Sequence, residues 1–280
     1  MDCASKQDFS DPWEFIIVDS AYEERKELVA AYWKLLGSPA PLIHIPPLDP
    51  LPSRQTRHAW DIPLYLNTGW AHAEGEVCVH IEDYMYFRGD WLRNHVEFIH
   101  QHPNLVSIGH TMADLIFDDN APGHYGRKNA VELREEMGAH INEAFEKPDQ
   151  YICLNFNSYG SWLSGNTGVL TKHILKINGA SEWPTHHPER WIAPDFFDCG
   201  LTMWPLESTP AWHASHTIYP IIGYIMKVSE SLTHQGIMPE YQPVDLQHFR
   251  DIPEAHKGKD YYRRNLREER IRLGKWTLDG

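Results

Sequence analysis

Leu64–Met85 is the stretch that most restricts what this chain can fold into. Asn67 opens a run of small residues at Gly69, Ala71 and Ala73 that reads as a helix over Asn67–Ala73, and Gly75 ends it in a turn. Val77–Ile81 follows as a short strand, and its exit carries two consecutive carboxylates, Glu82 and Asp83. Acids at the exit of a strand stand where an open α/β sheet carries its ligand chemistry.

The flanking segments continue the same alternation. Trp13–Val18 is an apolar, β-branched run that reads as a buried strand. Ser20, with Glu23 three residues on, has the spacing of a capping box, and Leu28, Val29, Tyr32, Leu35 and Leu36 form the expected inward stripe of the helix that follows. Gly37 and Pro39 stop that helix, and Leu42–Ile45 is the next strand. A strand, a helix and a strand predict a parallel pair with a right-handed crossover.

Asp90 starts a further helix, with Trp91, Leu92, His95, Phe98 and Ile99 at helical spacing and Pro103 as its stop. Val106–Ile108 and Tyr151–Leu154 read as strands, and His110–Lys128 as a loop. Asn129–Phe145, Lys172–Ile177 and Ile221–Leu232 read as helices, the second ending at Asn178-Gly179. Trp183–Tyr219 is an aromatic, His-rich region, and the arginines of Tyr261–Lys275 read as a solvated helix face paired with Glu268 and Glu269, with closure of one over a diphosphate as the alternative.

Charge and cysteine usage narrow the function classes. A formal charge of -14 over 280 residues repels polyanions, which argues against non-specific nucleic-acid or anionic-membrane binding. No apolar run is long enough for a transmembrane helix, and residues Met1–Lys6 show no secretory h-region. Cys3, Cys78, Cys153 and Cys199 lie far apart with no C-x-x-C pair, so reduced thiols in a cytoplasmic protein are expected.

The order Phe15–Ser20, then Asn67-x-Gly69-x-Ala71-x-Ala73-x-Gly75, then Val79–Tyr84, then Trp91-Leu92, resembles the nucleotide-sugar-binding half of GT-A fold glycosyltransferases, in particular the inverting family two. The resemblance implies an α/β fold with a GT-A-like (Rossmann-like), mostly parallel sheet flanked by helices, and a C-terminal helical arm. With one domain and a trailing C-terminal arm as the simplest division of the chain, the resemblance covers a catalytic domain over 1–235, with a donor-binding half over 1–109 and an acceptor half over 110–235, beside an arm over 236–280. It implies a hexosyltransferase-like enzyme that moves a sugar from a UDP- or GDP-sugar to an acceptor hydroxyl with inversion, assisted by Mn²⁺ or Mg²⁺. Asp19, Asn67, Glu82 and Asp83 become the donor-binding residues, with Glu82 and Asp83 also the metal ligands.

More faintly, Gly165–Thr167 followed by Leu175–Gly179 resembles the family's acceptor-side segment, with Ala180-Ser181-Glu182 where an apolar residue and Asp-Glu usually stand. Asp198 then falls at the place of the catalytic base, with Asp195 as its rival. His213 or His216 could add a metal ligand. Two departures accompany the resemblance. The family's first strand and helix are expected to be missing, since Met1 falls inside that helix, and the DxD motif reads Glu82-Asp83-Tyr84.

Each reading has a plainer or rival counterpart. Asp198 could simply cap the helix near Cys199. Most of the 18 histidines and the aromatics, including Trp162, Trp183, Trp191 and Trp204, have ordinary packing roles available to them. Two rival functions also stand: a catalytically inactive nucleotide-sugar-binding or assembly subunit of the same fold, and a metal hydrolase built on histidines such as His186-His187.

Overall fold

The computed structural model describes residues 1–51, 62–82, 85–113, 152–153, 165–182, 192, 195–196, 198–213 and 263–277. Expectations that lie outside these residues are the helices at Asn129–Phe145 and Ile221–Leu232, the ligands Asp83 and His216, Tyr84, His186-His187, and Trp162, Trp183 and Trp191.

The first unit is α1 (Asp2–Ser5), β1 (Phe15–Val18), α2 (Tyr22–Leu35) and β2 (Leu42–Ile45). β1 and β2 pair in parallel from Phe15↔Leu42 to Val18↔Ile45, as the strand-helix-strand pattern predicts. The start of α2 differs from the expected capping box: its N-cap is Ala21 and no side chain caps it. The Ala21 amide donates to Asp19 Oδ1 at 2.8 Å, an Asx-turn that leads from the strand exit into the helix.

The inward stripe of α2 is also rotated from the expected one. Leu28 and Leu35 are 69% and 79% exposed, whereas Trp33 is buried. Burying the indole sets the helix rotation, because Tyr22, Lys26, Val29, Trp33 and Leu36 share one face at the 3.6-residue period. The Trp33 Nε1–H donates to the Ala40 carbonyl at 2.9 Å, and its ring lies 5.2 Å from that of Phe15.

α3 (Ile62–His72) begins one turn before the expected Asn67, and β3 (Val77–Ile81) follows it. Next come β4 (Met85–Phe87), α4 (Trp91–Gln101), β5 (Leu105–Ala113), β6 (Ile152–Cys153), β7 (Asn166–Leu170), α5 (Thr171–Lys176), β8 (Thr202–His213) and α6 (Leu266–Arg272). The larger sheet has the order β3-β7-β5-β8-β4, with β6 beside β5. Parallel pairing among the described strands occurs at β1/β2 and β5/β8, and the remaining pairs are antiparallel, so the α/β architecture combines a small parallel pair with a mixed sheet. β3, β5 and β8 therefore run in the same direction, and their carboxyl ends meet at one edge.

The two faces of this sheet carry separate cores. Val106, Ile108 and Val169 pack with Leu66, Trp70, Ile174, Leu175, Phe196 and Leu266 on one face, with Cys78 against them. Met85, Phe87, Trp91 and Ala211 pack with Cys3, Ala4 and Trp33 on the other, with Val79 and Ile81 against them. The β3 residues thus divide between the faces with the two-residue period of a strand.

A polar layer is enclosed among α4, β5, β7 and β8. The Asn166 amide group donates from Nδ2 to the Thr209 carbonyl (2.9 Å), which leaves Oδ1 to accept from Trp91 Nε1 (2.8 Å) and from His95 Nε2 (2.9 Å). His95 is therefore protonated at Nε2 and accepts at Nδ1 from Ser107 Oγ, 2.8 Å away. Burial drives the His95 pKa down to about 4, which keeps the ring neutral. Gly109 leaves room for this layer, since a Cβ there would lie 2.4 Å from Asn166 Nδ2.

The described tail departs most from expectation. Instead of a solvated arginine face, Arg264 and Arg270 are buried. Arg270 NH1 donates to the Trp70 and Ala73 carbonyls at 2.6 and 2.7 Å, and its Nε donates to the Trp276 carbonyl at 2.8 Å. A cation from the far end of the chain thus sits at the negative C-terminal end of α3. Among the described residues, no helix is long and apolar enough to cross a membrane. Cys3 and Cys78 are free thiols, and burial pushes Cys78 up to about 11.

Candidate active site

Asp19 leaves the carboxyl end of β1 as a buried carboxylate, 9% exposed. Besides the Ala21 amide, Oδ1 meets Arg25 NH1 at 3.4 Å, and Oδ2 meets His44 Nε2 at 3.3 Å. The Tyr22 ring packs edge-on to His44 at 4.9 Å. The strand exit therefore holds an oriented acid supported by residues that the sequence reading did not select.

Glu82 leaves β3 half-buried, and the Met85 amide donates to its carbonyl at 3.2 Å. The Glu82 side chain lies against Gly165, which has φ +68°; a Cβ at Gly165 would stand 2.4 Å from Glu82 Cγ. Glycine at 165 is thus required twice, for its backbone conformation and to make room for Glu82. Two residues earlier, His80 Nδ1 is buried with no hydrogen-bond partner among the described residues, and burial lowers the pKa of this ring.

The sheet register brings His213 to the same edge. Its backbone pairs with Met85, three residues after Glu82, and with Ala113 at the end of β5. The residue types of the expected ligand set, two carboxylates and one or two imidazoles, would suit Mn²⁺ and, through the carboxylates, Mg²⁺. Glu82 is the member of that set whose side chain is described, and among the described residues no group of three metal-ligating side chains gathers.

Asn67 is fully enclosed. Its Nδ2 donates to the Ala180 carbonyl (2.8 Å) and to Glu182 Oε1 (3.1 Å), and its Oδ1 accepts from the Ala180 amide (2.8 Å). Asn67 therefore joins α3 to the segment after α5 and leaves no polar atom for a ligand. Gly179, at φ +80°, allows this approach, because a Cβ there would lie 2.6 Å from Asn67 Oδ1. Glu182 is gripped in turn by Arg264, whose Nε and NH2 reach its two oxygens at 2.6 and 3.1 Å, while NH2 also donates to the Asp49 carbonyl.

Asp195 and Asp198 occupy one helical turn with different surroundings. Asp195 is buried and paired with Arg263 NH2 at 2.8 Å; the same arginine donates from NH1 to the carbonyls of Ile177 and Gly179. Asp198 is exposed. Phe196, between them, is buried in the core on the Val106 and Ile108 face. The supporting residues that sequence reasoning missed are Glu182, Arg263, Arg264 and His44. Their signal was faint, because a carboxylate and an arginine more than 80 residues apart acquire meaning only once paired.

No family model and no curated protein matches this chain. Among solved structures, S. aureus TarS 1–349 in complex with UDP is similar with a TM-score of 0.48 and 13% identity, over 88% of this chain and 62% of that one. S. aureus TarS is similar at 0.48 and 13%, over 94% and 40%. GalNAc-T7 with UDP, GalNAc and Mn²⁺ is similar at 0.42 and 11%, over 72% and 37%. The chain thus spans less than two thirds of the length of each.

Proposed function

We propose that this chain is a GT-A-like glycosyltransferase that moves a sugar from a nucleotide-diphosphate sugar to an acceptor hydroxyl with inversion. The observation that carries this reading is the arrangement of acids at strand exits: Asp19 oriented at the end of β1, and Glu82 in the Gly165 recess at the end of β3. Asp19 receives the nucleoside, and Glu82 with Asp83 lies at the diphosphate. Asn67 acts as a positioning residue for α3, since its polar atoms are committed to Ala180 and Glu182. Glu82, Asp83 and His213 would hold a divalent cation, which when bound offsets the charge on the departing diphosphate. The division into a domain over 1–235 and an arm over 236–280 is kept as part of this proposal, with Arg263, Arg264 and Arg270 anchoring the arm.

Inversion in one displacement needs one carboxylate to take the acceptor proton. Asp198 is assigned that role over Asp195, because Asp195 is enclosed and held by Arg263 whereas Asp198 faces solvent, where an acceptor arrives. Asp198→Asn is expected to lower nucleotide release from the sugar donor by roughly 10²–10⁴-fold while leaving donor affinity unchanged. The assay is single-turnover release with UDP- and GDP-sugars in the presence of Mn²⁺ and acceptor. Donor binding without turnover, the same in wild type and Asp198→Asn, would select a non-catalytic nucleotide-sugar-binding subunit instead.

A further inference from the structure

We propose that His44 is a positioning residue for recognition of the nucleoside, acting through Asp19; this rests on the donor-binding reading given above. The parallel register sets His44 beside Ile17, two residues before Asp19. A carboxylate has no proton to give, so the 3.3 Å contact is a hydrogen bond donated by His44 Nε2 to Asp19 Oδ2. The imidazole is well placed to hold a fixed direction: its side chain is 7% exposed and the Tyr22 ring stands edge-on to it at 4.9 Å.

The other oxygen is held from the opposite side. Oδ1 accepts the Ala21 amide at 2.8 Å and a longer bond at 3.4 Å from Arg25, whose side chain is 60% exposed. With at least one protein donor on each oxygen, the carboxylate plane cannot turn about its Cβ–Cγ bond without breaking a hydrogen bond. An ionised carboxylate offers about four acceptor positions, and the described residues fill three, two on Oδ1 and one on Oδ2. The position left on Oδ2 is directional and takes one N–H or O–H donor, the kind of group a nucleobase imide or a ribose hydroxyl presents. A pre-aligned acceptor binds such a donor without the ordering cost a rotating carboxylate would incur.

The test is calorimetric binding of UDP and of GDP, each with Mn²⁺, to the wild type, His44→Phe, His44→Gln and Asp19→Asn, with Tm recorded for each. His44→Phe keeps the bulk and loses the donor; His44→Gln restores an N–H. The expected result is nucleotide affinity about tenfold weaker in His44→Phe and within about threefold of wild type in His44→Gln. A merely structural histidine would instead lower Tm in both variants and leave their affinities alike. Where His44→Phe does not fold, His44→Asn, whose shorter amide cannot span to Oδ2, reads the same loss.

Wild-type affinity in His44→Phe overturns the proposal, and if Asp19→Asn then loses binding the donor site itself stands. Affinity unchanged in both His44→Phe and Asp19→Asn overturns the proposal too, since His44 would have nothing to act through. A wild-type protein that binds neither nucleotide removes both this proposal and the reading beneath it.

Discussion

Glu182→Ala is expected to destabilise the folded chain by about 3–5 kcal/mol, because it leaves the buried Arg264 guanidinium without its two-oxygen partner. Arg264 is 7% exposed, so water cannot easily replace the lost carboxylate. Glu269 at 3.2 Å and the Asp49 carbonyl remain, but neither supplies the paired geometry. Asn67 also loses one of its acceptors, which loosens α3 from the Ala180 segment. Thermal unfolding followed by circular dichroism should show Tm lower by roughly 10 °C. A change below about 1 kcal/mol would mean that the pair is a surface contact of ordinary weakness.

Folding stability is expected to fall by about 3 kcal/mol between pH 7 and pH 4 through His95 alone. The folded pKa is about 4 against an ordinary value of 6.5, so between these pH values the unfolded chain carries a proton that the folded one refuses. Stability therefore rises with pH in this window. The contribution is complete above about pH 6.5 and disappears as pH drops toward 4. Burial lowers the pKa of His72, His80 and His173 as well, which adds in the same direction. Urea midpoints at pH 7.5, 6 and 5 should fall steadily in the wild type and less steeply in His95→Gln, which keeps a donor for Asn166 without titrating. Equal slopes in the two proteins would contradict a neutral, buried His95.

Much of the scaffold was legible because it rests on local chemistry. Leu42–Ile45 and Val77–Ile81 are the observed strands, since both are β-branched runs bounded by Pro or Gly. The stop at Asn178-Gly179 also holds, with both residues in left-handed conformations. β8 was hidden by Pro205 and Pro210, which argue against a strand interior. The sheet accommodates them with a register shift, in which Gly109↔Leu206 gives way to Thr111↔Ala211.

The site was legible in part for a related reason. Acids at strand exits can be located from sequence, so Asp19 and Glu82 stand at the ends of β1 and β3 as expected. What orients them comes from elsewhere in the chain: His44 across a crossover, and Gly165 from the start of the neighbouring strand β7. The tail arginines were misread because arginine is seldom buried, and only their partners reveal why these are. Leu28 and Leu35 show the same limit on a smaller scale, since apolarity marks a helix face while the bulk of Trp33 decides its rotation.

The central claim, that the strand exits form a site for a nucleotide-diphosphate sugar, is tested most directly by thermal unfolding with a panel of UDP- and GDP-sugars and Mn²⁺. A donor at about 100 times its Kd should stabilise the chain by about 2.7 kcal/mol, a rise of several degrees in Tm. Asp19→Asn should reduce that rise, and the stabilising sugar nucleotide should be the one from which nucleotide is released. No change in Tm with any donor and metal, together with no release of nucleotide, would contradict the account.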